Sequence, residues 1–417
     1  MIRKPSMLVV FLTVFIDLIG FGIVVPMIPV FSRHFGASSF IVGVIVASFS
    51  AMQFIFSPIW GKLSDRYGRR PILLISTAGA AVSYVIFALS AVQGNLWLLL
   101  ASRLFAGACG GNITVAQAYV ADISKPEERS KKMGLIGMAF GLGFIFGPII
   151  SGVALKYFGE TGPGWAAAAL CALNFVLAYF ILVESLKPDS IRASDRPRFA
   201  QWGHTLGMPK IGLLIFLFFI ATFAFSCFES TLALLISDNF NLGLASDAKG
   251  PAATVISLFV FCGLISAFVQ GGMIGRLVKS FGEPKLIVAS LVMTGVSLML
   301  LPLIHGDGPL KWSAVLHLVD KPWLWMLLVL VLLSFGSSLS RAPLFGLLSN
   351  LTPANEQGAT IGVAQSAGSL ARILGPLFAG ALYGHHPAMP YFICGALSIV
   401  AGLFAIKALM GGLQKVN

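Results

Sequence analysis

The sequence predicts an all-α integral membrane protein with twelve transmembrane helices in two pseudo-symmetric six-helix bundles. Three observations carry that prediction. The chain has 417 residues, of which 57% are hydrophobic and only 11% charged, with a mean hydropathy of +0.90. A soluble domain carries about 25% charged residues. The apolar residues fall into runs near the ~20 needed to cross a bilayer, with room for about twelve. Glycine and proline markers in the first half also return in the second at fixed offsets.

In chain order, span 1 runs from Met7 to Val30, span 2 from Phe40 to Trp60 and span 3 from Ile72 to Val92. Span 4 covers Leu96 to Val120, span 5 Met133 to Leu155 and span 6 Trp165 to Val183. Span 7 covers Ile211 to Ser237, span 8 Ala252 to Ile274 and span 9 Leu286 to Ile304. Span 10 runs from Trp323 to Leu348, span 11 from Ile361 to Tyr383 and span 12 from Pro390 to Leu409. The opening Met1-Ile2-Arg3-Lys4 suits a signal peptide, but the run from Met7 to Phe31 is too long and ends in no small-residue cleavage site. It reads as a retained first helix.

The polar stretch between spans 6 and 7 holds Lys187, Arg192, Arg196, Arg198 and Lys210 with three prolines. It divides the chain into an N-terminal bundle (1–184), a flexible or partly helical linker (185–210) and a C-terminal bundle (211–417). Leu96-Trp97, Gly134, Gly147-Pro148 and Gly152 reappear, all at one constant offset, as Leu324-Trp325, Gly362, Gly375-Pro376 and Gly380. Gly61, Leu63 and Gly68 reappear at a second, smaller offset as Gly275, Leu277 and Gly282. The difference between the two offsets makes His305 to Pro322, with His317, an extra excursion between spans 9 and 10. Parallel six-helix repeats suit a transporter that rocks its halves about a central site; a channel or membrane enzyme has no need of them.

Charge sets the expected orientation. Of 28 Lys and Arg residues, five (Arg33, Lys156, Lys249, Lys311, Lys321) fall on one side, three (Arg103, Arg341, Arg372) within spans, and the other twenty on the opposite side. The rich side is expected to be cytoplasmic, with both termini and the linker there. This bias accounts for the net charge of +12 without nucleic acid, because no basic run is interleaved with aromatics. The five cysteines lie singly in apolar runs and read as packing residues.

Between spans 2 and 3 lies a dense charged knot, Gly61-Lys-Leu-Ser-Asp65-Arg66-Tyr-Gly68-Arg69-Arg70-Pro71. It reads as an inter-helix latch, with Asp65 accepting charge-assisted bonds, or as a positive-inside anchor alone. The order of residues resembles the signature loop of the major facilitator superfamily, without gaps. The second copy is degenerate: Lys279, Glu283 and Pro284 stand at the positions of Asp65, Arg69 and Arg70. A latch would therefore reside in the first copy.

Charges inside a bilayer are costly and mark functional candidates. Asp17 sits in mid-span 1, and Arg103 of span 4 is a candidate partner, either for proton coupling or in a static bridge. Glu229 in span 7 occupies the corresponding place in the second half, with Arg341 and Arg372 as partners for it or for an anionic substrate group. Asn112, Gln117 and Gln365 are further cavity candidates, each equally readable as helix–helix glue. In span 5, Gly143, Gly147, Pro148 and Gly152 permit close backbone approach, either to a neighbouring helix or across the interface between the halves.

Gly143-x-x-x-Gly147-Pro148-x-x-x-Gly152 resembles the antiporter motif of the drug:proton branch of that superfamily, and Arg103-x-x-x-Gly107-x-x-x-Gly111 resembles its fourth-helix motif. Asp17-Leu-Ile-Gly-Phe-Gly, Pro26-Met-Ile-Pro29 and the loop together are similar to tetracycline-efflux-type multidrug exporters over most of the first half. The resemblance implies the superfamily's twelve-helix fold, proton-driven export, and Asp17, Asp65 and Arg103 as coupling residues. Spans 8 and 9 lack the histidine and aspartate of such pumps. The Arg341–Arg372 pair leans towards a substrate with an anionic group.

The expectation is a proton-coupled antiporter that exports small amphiphilic molecules by alternating access from a plasma membrane, such as a bacterial inner membrane. An organic-anion, metabolite or lipid transporter of the same fold, coupled or uncoupled, is the alternative. The proton gradient is the energy source; no cofactor or metal, no nucleic acid and no obligate oligomer is expected, so the chain reads as a monomer in the lipid bilayer. Enzyme signatures such as H-E-x-x-H and G-x-S-x-G are absent from the sequence.

Overall fold

The computed structural model describes residues 5–110, 112–124, 126–185, 198–243, 249–316, 320–352 and 357–410. The described residues form helices and connecting turns. Span 1 is α1 (Met7–Val24) and α2 (Met27–His34), span 2 is α3 (Ser39–Tyr67) and span 3 is α4 (Arg69–Gln93). Span 4 is α5 (Leu96–Cys109) and α6 (Asn112–Asp122), span 5 is α7 (Pro126–Phe158) and span 6 is α8 (Gly162–Ile181). The linker contains α9 (Arg198–Gly207). The second half continues with α10 (Pro209–Asn239), α11 (Lys249–Phe268) and α12 (Ile274–Phe281), then α13 (Glu283–Leu300) and a short α14 (Trp312–Leu316). It closes with α15 (Lys321–Ser338), α16 (Arg341–Leu351), α17 (Gln357–Tyr383) and α18 (Met389–Ala405).

Eleven helical stretches among the described residues are long and apolar enough to cross a membrane. The remaining long helix is α17, 27 residues carrying Gln365, Ser366, Ser369 and Arg372 along its length. Helices are the solution because hydrocarbon offers no partner to backbone N–H and C=O groups.

The repeat read from glycines returns in backbone geometry. Gly68 (φ 101°, ψ 157°) and Gly282 (φ 76°, ψ 158°) precede α4 and α13 in nearly the same positive-φ conformation, which only glycine adopts readily. Span 4 breaks at Gly110, and span 10 breaks after Ser338, the matching position of the repeat. At the first break, three side chains collect the freed carbonyls. Trp60 Nε1 donates to Ala108 O (2.6 Å), Gln53 Nε2 donates to Gly110 O (3.2 Å), and Ser76 Oγ donates to Cys109 O. An interrupted helix is tolerated at membrane depth when neighbours take up its backbone groups in this way. The α11–α12 junction is instead a π-turn over Val269–Met273, where Gly271 and Gly272 stand together. Pro148 and Pro376 do not break their helices; α7 runs through the first and α17 through the second.

The excursion between spans 9 and 10 is built rather than loose up to Leu316. Asn239 Nδ2 donates to Ile304 O (2.8 Å), and Gly306 and Gly308 N–H donate to Asn239 and Phe240 carbonyls. Phe240 stacks at 3.8 Å on Trp323, whose indole donates to Gly308 O. His317 lies outside the described residues.

Two compact units emerge. One comprises Met1–Ala37, Ser48–Arg192 and Leu244–Val260; the other comprises Ser38–Ala47, Ala193–Gly243 and Phe261–Asn417. The start of α3 thus packs with the second unit and the start of α11 with the first. In the second unit a Cβ on Gly43 would strike the Pro376 carbonyl, and one on Gly380 would lie 2.5 Å from Ser39 O. In the first unit a Cβ on Gly152 would lie 3.2 Å from Ile256 Cγ2 of α11.

Candidate functional site

In the first unit, α1 is held on both sides of Asp17. Asn174 of α8 is buried and donates to Thr13 O at 2.8 Å, one turn before it. On the other side α7 supplies Gly143 and Gly147. A Cβ on Gly143 would lie 2.9 Å from Leu18 backbone atoms, and one on Gly147 would fall on the backbone of Gly22. A Cβ on Gly22 would in turn meet Gly143 O at 2.5 Å. Gly143 and Gly147 therefore seat the helix that carries Asp17. Gly152 instead faces α11, a helix of the second half of the chain.

Arg103 of α5 is fully buried, and none of its three guanidinium nitrogens has a hydrogen-bond partner among the described residues. Its guanidinium carbon sits over Phe49 (5.7 Å), Tyr84 (5.9 Å) and Phe87 (6.0 Å). The expected Asp17–Arg103 ion pair is not closed. Tyr84 is in electrostatic contact with both, and its hydroxyl interacts with Arg103. A desolvated cation–π contact contributes about 2 kcal/mol, whereas burying an ion costs several kcal/mol even after relaxation. Three rings at the outer edge of cation–π range, with the Tyr84 hydroxyl beside them, offset part of that cost.

The Gly61–Pro71 loop is docked through partners that sequence reasoning did not identify. The carboxylate of Glu184, just beyond α8, accepts from the backbone N–H of Arg69 (2.8 Å) and Arg70 (3.0 Å) at the start of α4, and from Ser185 N–H (2.9 Å). Helix N-termini leave such N–H groups unpaired and attract anions. A Cβ on Gly68 would lie 2.5 Å from Glu184 Oε2, so the position needs glycine for space as well as for φ. The Arg69 side chain is 8% exposed. Its Nε donates to Asp122 Oδ2 (3.0 Å) at the end of α6 and its Nη1 to Ser64 Oγ (2.6 Å). Ser185 Oγ donates to the same Asp122 oxygen at 3.0 Å. Arg70 donates to the carbonyls of Leu182 and Tyr179. Arg66 is exposed and lies over the Tyr67 ring, and Gly61 is half-buried. The Asp65 side chain lies outside the described residues. The sequence does place an acid at each end point, Asp122 closing span 4 and Glu184 closing span 6, and that was the available signal.

In the second unit, Glu229 of α10 lies in the electrostatic reach of Arg372 of α17, and Arg372 in that of Arg341 at the start of α16. Arg372 also donates to Ser369 Oγ (3.4 Å). Glu229 and Arg372 are half-buried and Arg341 is exposed. Among the described residues, Glu229, Arg372 and Arg341 thus form one electrostatic cluster. Gln117 of α6 and Gln365 of α17 are half-buried, each in its own unit. Asn112 begins α6, and its side chain lies outside the described residues. Beside Glu229 on α10, Thr231 donates to Cys227 O (2.7 Å) and pairs with Tyr391, and Tyr383 donates to Asp238 (2.7 Å). These bonds fix α10 against α17 and α18.

The family profile of the Major Facilitator Superfamily matches residues 10–319 and 273–411. A tetracycline resistance protein, class C, of Escherichia coli is 32% identical over 387 residues, covering 91% of this chain and 89% of that protein. Multidrug resistance protein 2 of Bacillus subtilis (strain 168) is 27% identical over 403 residues, covering 95% and 94%. Among solved structures, the human organic anion transporter MFSD10 superposes with a TM-score of 0.68 at 24% identity, covering 97% of this chain and all of that one.

Proposed function

Because the chain belongs to the Major Facilitator Superfamily, we propose that it is a proton-coupled antiporter that exports small amphiphilic molecules by alternating access. The observation that carries this reading is the seating of Asp17: the antiporter-type glycines Gly143 and Gly147 pack directly on its helix, at Leu18 and Gly22. A membrane-embedded acid on a tightly packed helix can load and release a proton as its surroundings change. Asp17 carries the coupled proton, Arg103 sets its charge balance, and Glu229 is the second proton or cation site. The Gly61–Pro71 loop acts as the latch through Arg69, Arg70 and Gly68, with Asp122 and Glu184 as its acceptors. The bodies that rock are the bundles 1–184 and 211–417, joined by 185–210. The protein sits in a bacterial plasma membrane as a monomer with both termini cytoplasmic, needs no cofactor beyond the proton gradient and performs no enzymatic step. Relatives named for tetracycline and multidrug resistance support a drug-like substrate.

A second reading, export of organic anions, is favoured by one observation: Arg341 and Arg372 lie in one electrostatic cluster beside Glu229. The discriminating experiment uses proteoliposomes with an imposed pH gradient and three probes, tetracycline, ethidium and fluorescein. Gradient-driven uptake of a probe that is lost in Asp17→Asn, with the variant still inserted, is the expected outcome. Uptake of fluorescein without proton movement would replace antiport with the uncoupled organic-anion reading.

A further inference from the structure

Tyr84 of α4 escapes notice in the sequence because it is one aromatic within an apolar span. In the structure it is 3% exposed and wedged into a notch on α1. A Cβ on Gly20 would lie 3.1 Å from Tyr84 Cε2 and 3.6 Å from Cζ, the carbon that bears the hydroxyl. Gly20 is three residues beyond Asp17, hence one turn along the same helix face. The face of the same ring lies 5.9 Å from the Arg103 guanidinium carbon. One side chain therefore packs its ring edge against the helix of the acid, lies in the field of Asp17, and meets the cation with its ring and its hydroxyl.

We infer that Tyr84 is a positioning residue that relays the charge state of Asp17 to Arg103. A carboxylate attracts a phenolic O–H more strongly than a carboxylic acid does, and the ring face holds the guanidinium. A shift of the phenol on deprotonation of Asp17 therefore moves the seat of the cation. The other titratable groups on this face are Cys171 of α8, whose sulfur also crowds Gly20, and Cys109 of α5; both lie in the field of Asp17. The functional consequence rests on the antiport reading, whereas the relay itself does not.

The test is the apparent melting temperature of the ligand-free protein in detergent, followed across pH. It is measured for the parent, Tyr84→Phe, Asp17→Asn, Arg103→Gln and the double variants. Tyr84→Phe keeps the ring and removes only the hydroxyl. The expected result is a displacement of the pH midpoint by about one unit, the size of one lost charge-assisted hydrogen bond. That displacement should vanish in the Asp17→Asn and Arg103→Gln backgrounds. A Tyr84→Phe profile superimposed on the parent's, or a displacement that persists without Asp17, overturns the relay. Should Tyr84→Phe not fold, Phe87→Leu, which thins the same seat, must displace the midpoint in an Asp17-dependent way, and a null result there also overturns it. Proteoliposomes of the parent that take up tetracycline without proton movement would remove the antiport reading, while the melting series would still decide the role of Tyr84.

Discussion

Glu184 lies 115 residues from Arg69 and closes the turn before α4 with a single carboxylate. Replacing it with alanine removes three acceptor contacts, to the N–H groups of Arg69, Arg70 and Ser185 at 2.8, 3.0 and 2.9 Å. Loss of an N-terminal cap costs about 1 kcal/mol. Loss of a negative charge at a helix N-terminus adds roughly 0.3–1 kcal/mol. Water restores part of the bonding, so the docked state should lose about 1.5 kcal/mol, or roughly tenfold in population. Glu184→Gln keeps one oxygen acceptor without the charge and should lose about 1 kcal/mol, or roughly fivefold. Hydrogen–deuterium exchange reads these donors directly, because local opening sets the rate. A peptide spanning Ser64 to Ile72 should show the Arg69 and Arg70 amides exchanging about tenfold faster in Glu184→Ala and at most about fivefold faster in Glu184→Gln. The Pro71 position, which has no amide, contributes nothing. Exchange unchanged in Glu184→Ala, or equal in the two variants, would refute the argument that a carboxylate caps α4.

Gly147→Ala places a methyl on the Gly22 backbone and should destabilise the protein by about 1–3 kcal/mol through overpacking. Gly152→Ala meets only an Ile256 methyl and should lower the melting temperature much less; equal losses would count against the α1–α7 contact. Arg69→Lys cannot span Asp122 and Ser64 with one ammonium, so in a melting-temperature cycle with Asp122→Asn it should retain little of the coupling seen for the parent pair. Gly43→Ala puts a methyl against the Pro376 carbonyl. A cysteine introduced at buried Ser39 should then react faster with a water-soluble maleimide, and an unchanged rate would sink that packing argument.

The spans, the extra excursion, the broken symmetry of the two loops and the intramembrane charges were all legible in the chain itself. Each is a local property. Apolar run length reports the bilayer, glycine spacing reports close approach, and a lone acid such as Asp17 stands out because charges within spans are rare. Pairing across helices is a different kind of fact. Glu184 read as the last residue of the N-terminal bundle, and its role as a cap exists only because α8 ends beside the start of α4. Arg103 read as the partner of Asp17, but three rings from α3 and α4 surround its guanidinium. The exchange of the α3 and α11 starts between compact units is likewise invisible to periodicity. Sequence spacing specifies which face of a helix a residue occupies. Which neighbour meets that face is decided by packing among helices far apart in the chain, where backbone approach at glycines, not hydropathy, selects the partner.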